Sequence, residues 1–515
     1  MINVLNLEDN NAMIKDVRIN VIVNIIRTLV LTLLSFITFP WVCRYLGDST
    51  LGLYTWANTF VAYFLILAKI GIPNLAIREC VKVRDNKELL SNKVQTFFLL
   101  QLITTLLSFI FLLTLTLSIP ELRDSSSLIF ILSLNFLSGA FSFEWLFIAL
   151  EKQFYMSVRS IIVLTLTSIL IIVFVTNPDD VYIYSILTVS VTILTTICNL
   201  VYSRKFISYK KTLPYEYKQY IKPLIVLGSL SFILSIYNQT DTFILGLINQ
   251  DKKEVASYSV GIKGVDIIIG ILTSLSTVFI PRAAYCWQKE DKRYFNNLTK
   301  YSVNICVFIV LPAIATMSIL AKPICGLISG NYSYNNEIKD YSNAPYILMI
   351  LASMMFTYSI CDIIYGQILL PMKKEKYYLL AILVGSLLNI ILSVVLGLFV
   401  FKNNPSLGVA IGTSITDILI LVYLLSKTWK YSKQAIFNKN SLKILVATCV
   451  VVVVSLLLYN PSISLGKLFI KTSSGIMIFQ LLFIVIIDAI IYLIILLILK
   501  ENLISSFIRK KKTNE

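Results

Sequence analysis

A chain of 515 residues that is 57% hydrophobic and only 14% charged, with mean hydropathy +0.80, does not have the composition of a soluble globular protein, in which roughly a quarter of residues are charged. Its net charge of +17, from 45 Lys and Arg against 28 Asp and Glu, follows from membrane topology rather than from nucleic-acid binding. The absence of His removes the commonest general base and metal ligand, and no GxxxxGK[ST] phosphate loop occurs, so His-dependent membrane acyltransfer and P-loop hydrolysis are both excluded.

The first residues, MINVLNLEDNNAMIKDVRIN, hold two acids among the first nine and no basic region ahead of a small-residue cleavage site, so the first span is expected to stay on the chain. Runs of about 20 apolar residues, enough to cross about 30 Å of hydrocarbon as helix, then recur along the whole length. The short alternating strands of a membrane barrel are not present. The pattern predicts an all-α, polytopic membrane protein of about fourteen spans. Six cover residues 18–40, 51–70, 94–118, 127–150, 159–176 and 181–202. Six more cover 223–248, 257–280, 301–328, 344–370, 378–400 and 406–426, and a last pair covers 442–459 and 476–499.

An even number of spans puts both termini on one side. The N-terminus, the connectors 78–93, 151–159, 204–222, 282–300, 373–376 and 427–443, and the tail hold most of the Lys and Arg, which makes that side cytoplasmic. GIPNLAIREC, Gly71 to Cys80, belongs to this set: Gly71 and Pro73 are expected to stop the second helix at the cytoplasmic surface, with Arg78 onward held inside. Lys69 sits at the same edge and is expected to snorkel to water. Trp41, Trp56, Trp145, Trp287 and Trp429 fall near predicted span ends, as an interfacial belt would place them. The longest external connector, 329–343, is too short for a catalytic domain. Eight Cys without CxxC pairing suggest small hydrophobes, with no disulfide framework, zinc site or other metal or cofactor.

A faint repeat is visible at an offset of six spans. Arg44-Tyr-Leu-Gly47 with Gly52-Leu-Tyr54 resembles Ile244-Leu-Gly246 with Ala256-Ser-Tyr258, and Ala149 to Tyr155 resembles Leu370 to Tyr377. It predicts two pseudo-symmetric six-helix lobes around a central cavity: 1–203, then a cytoplasmic linker 204–222, then 223–430, followed by an additional pair and basic tail in 431–515.

Eight ionisable residues lie well inside predicted spans: Arg27, Glu144, Asp241, Lys263, Asp266, Asp362, Asp417 and Asp488. At about 2.5–3.5 kcal/mol each, exposing them all to lipid would cost on the order of 20 kcal/mol, so most must face protein or water. Arg27 lies about 13 Å deep and has no acid at helical spacing in its own span. It is a candidate for binding an anionic substrate, or for pairing with an acid elsewhere in the fold. Lys263 and Asp266, three residues apart, could instead neutralise each other. Glu144 and Asp362 occupy matching positions in the repeat and could carry protons or form ion pairs. GSLLN and GVAIGTS read as helix contacts through small residues.

FPWVCRYLGDSTLGLYTWANTFVAYFLILAKIGIPNLAIREC, followed in order by FEWLFIALEKQFYMSVRS, YNQTDTFILGLI, STVFIPRAAY and GQILLPMKKEKYYLLAILVGSLLNIILSVVLG, resembles the Wzx-type polysaccharide repeat-unit flippases of the multidrug/oligosaccharidyl-lipid/polysaccharide exporter superfamily. The likeness spans about residues 15–425. It implies no enzyme but a flippase in the bacterial cytoplasmic membrane. Such a flippase moves undecaprenyl-diphosphate-linked oligosaccharide to the outer leaflet by alternating access, with polysaccharide polymerase and assembly machinery as further partners. Fourteen spans instead of twelve are closer to the related lipid II flippases, and cationic cavity residues of that relative carry over to Arg27 and Lys263. Asn24, Asn238 and Gln239 are candidates for sugar hydroxyls or for interhelical contact, and Asp241, Glu144 and Asp362 for ion coupling. The alternatives are a drug/cation antiporter of the same superfamily, against which a mid-membrane Arg27 weighs, and a membrane-embedded polymerase, against which the bare external side weighs.

Overall fold

A computed structural model describes residues 8–210, 214–215, 217–249, 251–330 and 341–502, and every regular element among them is a helix. The chain divides into two compact units, Met1–Ile236 and Tyr237–Glu515. Eleven helices among the described residues are long and apolar enough to span a membrane. The first of them, Ile26–Val81, takes in two of the fourteen expected spans. Expected spans seven and eight fall on two further long helices, Lys218–Ile248 and Lys253–Gln288. Fourteen itself stays an expectation from hydropathy.

Unit one begins with α1 (Glu8–Lys69), which breaks at Gly47, where φ 72° and ψ 175° lie outside the helical region and only Gly enters without strain. The break falls between the first two expected spans. After Gly71, in the left-handed region at φ 73°, Pro73 opens a further helix, α2 (Ile72–Val81), in place of the expected free connector. Proline suits a first turn because its missing N–H has no partner to lose there. The amphipathic spacing of Ile72, Leu75, Ala76 and Cys80 buries that face.

Next come α3 (Lys87–Ser118), α4 (Pro120–Asp124), α5 (Ser126–Ser133), α6 (Asn135–Phe141) and α7 (Glu144–Ala149). Expected span four is therefore not one helix: it breaks at Ser142 and Phe143, the latter at φ 45°. Helix α2 packs on α7 and α3, and its apolar face joins Phe97, Trp145, Phe147, Met156 and Leu224 in one buried cluster. Trp145 and Trp56, at 2% and 0% exposure, are core residues and not members of an interfacial belt. Lys69 is exposed. Helices α8 (Gln153–Phe174), α9 (Val181–Ser203) and α10 (Lys218–Ile248) follow, the last containing the boundary between units.

Unit two contains α11 (Lys253–Gln288), α12 (Lys292–Ile319), α13 (Ala321–Ser329), α14 (Ala344–Leu351) and α15 (Met354–Ile363), which runs into a π-helical segment, Ile364–Leu369. Then come α16 (Lys376–Val395), a second π segment at Leu396–Val400, α17 (Pro405–Ile436), α18 (Lys439–Phe469) and α19 (Ser473–Ile498).

The helices are patterned inside-out relative to soluble ones. On α3 the buried face carries Gln101, Thr105, Ser108 and Thr116, while Leu106, Leu107, Ile110 and Phe111 are exposed. On α18 the buried face carries Thr448, Ser455 and Ser462, seven residues apart, and Leu456 and Leu457 face out. Lipid is as apolar as Leu, so large side chains gain nothing by turning inward, and small polar residues let helices approach and bond. Gly385, Gly408 and Gly412 illustrate this: a Cβ on Gly408 would lie 2.7 Å from the Leu396 carbonyl oxygen, and one on Gly385 2.5 Å from the Ile420 side chain. GSLLN and GVAIGTS are helix contacts.

Candidate functional site

In unit one, Arg27 sits on α1, half-buried, and its Nε is buried without a hydrogen-bond partner. Among the described side chains no carboxylate lies within ion-pair distance of it. A guanidinium inside an apolar span is costly unless a counter-group or water meets it. The Asn24 side chain, one turn earlier, lies outside the described residues.

Glu144 has a different setting. The break before α7 brings its carboxylate to the helix start, 44% exposed, where Oε1 accepts from Arg159 Nη2 at 2.8 Å. Arg159 on α8 is itself 6% exposed. Its Nη1 donates to Asn199 Oδ1 on α9 at 2.5 Å, and Asn199 Nδ2 donates to the Ser142 carbonyl at 2.5 Å. This chain of bonds fastens α8 and α9 to the break. Arg159 was not legible as a buried cation because it stands at a predicted span border, and Asn199 is 40 residues away. On the neighbouring face, Gln101 donates to the Gly139 carbonyl and accepts from Trp145 Nε1 at 3.3 Å, closing the same joint from α3.

In unit two, four helices bring carboxylates, hydroxyls and an amide together. Asp241 (α10) accepts from the Tyr258 hydroxyl (α11) at 2.5 Å and from Thr413 Oγ1 (α17) at 2.8 Å through the same Oδ2. Asn389 Nδ2 (α16) donates to Thr413 Oγ1 at 3.0 Å. One turn along α17, Asp417 accepts from Tyr237. Asp241 Oδ1, Asn389 Oδ1, Ser393 Oγ and Asp417 Oδ2 are all buried and without partners. Acceptor oxygens gathered beside two carboxylates have the chemistry that a hard cation or a proton would use. Among the described residues no three His, Cys, Asp or Glu side chains converge as a transition-metal site would require. Sequence reasoning found Asp241 as a coupling candidate and Asp417 as an interior charge. Tyr237, Tyr258 and Thr413 gave no signal of their own, since hydroxyls are unremarkable in such helices.

The remaining candidates spread more widely. Lys263 lies half-buried on α11, electrostatically coupled to Asp266 one turn on. Gln239 is half-buried on α10, while the Asn238 side chain is outside the described residues. Asp362 lies in the last turn of α15, with its Oδ2 buried. Asp488 on α19 accepts from Ser455 of α18 at 2.7 Å and from Thr316 of α12 at 3.2 Å, and Tyr492 of α19 donates to the Phe308 carbonyl at 2.8 Å. These bonds fix the final pair to α12.

Comparison with known proteins gives a consistent answer. The family described as Polysaccharide biosynthesis protein matches residues 17–287, and the MatE family matches residues 228–395. A protein of Escherichia coli (strain K12) named as a candidate O-antigen transporter is 22% identical over 366 residues, covering 70% of this chain and 85% of that protein. The lipid II flippase MurJ of Bacillus subtilis (strain 168) is 21% identical over 247 residues, 47% of this chain and 44% of that one. Among solved structures, the inward closed conformation of a lipid II flippase MurJ covers 93% of this chain and 99% of its own, with a TM-score of 0.67 at 20% identity. An inward-facing multidrug resistance MATE family transporter aligns over 78% of this chain and 96% of its own, with a TM-score of 0.56 at 13% identity. At such identities the structural likeness is one of fold: this is a multi-span membrane protein with the MurJ/MATE transporter fold.

Proposed function

Because the chain belongs to the polysaccharide biosynthesis protein family, we propose that it is a flippase. In this reading it carries undecaprenyl-diphosphate-linked oligosaccharide repeat units from the cytoplasmic to the outer leaflet of a bacterial cytoplasmic membrane. The family match over residues 17–287 carries this reading. An unaided sugar head with around ten hydroxyls, each costing several kcal/mol in hydrocarbon, faces a barrier of tens of kcal/mol. A hydrated path lined by polar side chains removes most of it, while the prenyl tail stays in lipid.

In this reading Arg27 and Lys263 attract the diphosphate, and Asn24, Asn238 and Gln239 bind sugar hydroxyls. Residues 1–203 and 223–430 act as two rocking lobes joined by 204–222, with 431–515 as the added pair and tail, and both termini are cytoplasmic. Rocking is driven by the membrane potential or an ion gradient. Of the three coupling candidates, Asp241 and Asp362 form no ion pair among the described residues, whereas Glu144 is engaged by Arg159. Coupling is therefore assigned to the first two, and collapse of both potential and ion gradients is expected to slow transport. Unchanged rates would contradict it. No step here makes or breaks a covalent bond.

Deletion of the gene tests the function. Lipid-linked repeat units should accumulate on the cytoplasmic leaflet and move outward again on complementation. Export of single units in the deletion strain would instead fit a polymerase. A drug/cation antiporter is the second reading, favoured by the MatE match over 228–395. It predicts drug sensitivity on deletion with normal surface polysaccharide.

A further inference from the structure

Helices α16 and α17 pack antiparallel within unit two and leave an open groove between them, a cavity of about 230 Å³. Leu380 and Val384 of α16 and Leu419 of α17 form its walls, at 49%, 45% and 47% exposure. Its floor lies where Ile420 seats on Gly385, so closely that a Cβ there would lie 2.5 Å from the Ile420 side chain. The groove follows residues 380–388 of α16, a rise of about 12 Å, close to the hydrocarbon depth of one leaflet. It offers little to a sugar. The deeper hydroxyl, Thr416 Oγ1, is turned back onto the Gly412 carbonyl at 2.9 Å, and the other, on Tyr423, stands at one end.

That end is cationic. Lys427 Nζ lies 5.5 Å from the centre of the Tyr423 ring and 5.9 Å from that of Tyr377, and Lys376 Nζ lies 5.5 Å from the Tyr377 ring. The aromatic faces fix where both ammonium groups stand. Both Lys are exposed, and among the described residues neither pairs with a carboxylate, the adjacent Glu375 included. Trp429, two residues past Lys427 and 45% exposed, suits the headgroup level of a bilayer.

We propose that the groove between α16 and α17 binds an anionic glycerophospholipid, with one acyl chain along Gly385 and Ile420 and the phosphate between Lys376 and Lys427. An apolar slot one leaflet deep, ending under two ammonium groups without acids, matches such a lipid in both shape and charge. A zwitterionic phospholipid brings its own ammonium group and gains little from the two Lys. The undecaprenyl chain of the proposed substrate is far longer than the groove. Both walls belong to unit two, so an occupant ties α16 to α17. This binding is independent of the transport reading above.

The test uses the purified full-length protein in detergent with about 0.15 M NaCl, which screens loose surface attraction. Dioleoylphosphatidylglycerol is titrated against dioleoylphosphatidylcholine, with native mass spectrometry counting retained lipid and thermal unfolding as the second readout. A saturable phosphatidylglycerol adduct that raises the unfolding midpoint is expected, and none of comparable affinity with phosphatidylcholine. Lys376→Gln combined with Lys427→Gln should weaken retention about tenfold. Val384→Trp, which fills the groove and keeps both charges, should weaken it as much. All three positions are exposed, and an unchanged midpoint without lipid checks that each variant folds. Equal retention of the two phospholipids overturns the proposal. Loss in the Lys variant with full retention in Val384→Trp also overturns it, since charge alone then holds the lipid. Complete displacement of phosphatidylglycerol by equimolar undecaprenyl phosphate overturns it as well, and gives the groove to the prenyl chain.

Discussion

Arg159 and Arg27 show how differently two arginines behave in one unit. Arg159 is closed off by Glu144 and Asn199, whereas the buried Nε of Arg27 has no partner. Truncating Arg159 removes two charge-assisted bonds and leaves Asn199 Oδ1 with only a weak bond from Tyr155 at 3.3 Å. Arg159→Ala should therefore lower unfolding stability by about 2–3 kcal/mol in detergent denaturation. Glu144→Gln, at a half-exposed carboxylate, should cost about 1 kcal/mol or less. Equal stabilities for Arg159→Ala and wild type would show the network to be incidental. The sequence marked Arg27 because it stands nine residues inside its span, and missed Arg159 because depth is unreadable at a border. Pairings such as Arg159 to Asn199, 40 residues apart, leave no local trace at all.

Helices were legible where a residue type forces the backbone and illegible where packing does. Gly71 and Pro73 announced their break, though Pro73 also opened α2, which a hydropathy reading takes for a connector. FSFEW contains neither Gly nor Pro, so the break of span four at Phe143 left no signal. It is held instead by Asn199, Arg159 and Gln101, partners that only the fold supplies. The π segments after Ile363 and Val395 were equally silent. Small residues at helix crossings could be read, and they carry a test. Gly408→Ala places a methyl against the Leu396 carbonyl and Gly397 nitrogen, backbone atoms with no room to yield, and should cost about 1–3 kcal/mol. A thermal midpoint within 1 °C of wild type, an order-of-magnitude allowance on this scale, would mean α17 can slide past the π segment freely.

For the whole molecule, composition alone set the class, since a chain that is 57% hydrophobic and 14% charged has no soluble way to bury itself. Inside-out patterning on α3 and α18 completes the picture: lipid takes the large apolar faces and the units keep hydroxyls, amides and charges. Those interior polar groups divide between fastening and function. Asp488 and Tyr492 fasten the final helix, so Asp488→Ala should destabilise unit two rather than alter substrate selection, a distinction that unfolding and flipping assays resolve together. Among the described residues Arg27 makes no such bond through its buried Nε. Flipping by purified protein in liposomes, read as lipid-linked oligosaccharide newly accessible to an external glycosidase, tests the account most directly. Arg27→Gln with a wild-type unfolding midpoint should flip at least about tenfold more slowly than the unaltered protein. Equal rates would contradict the account.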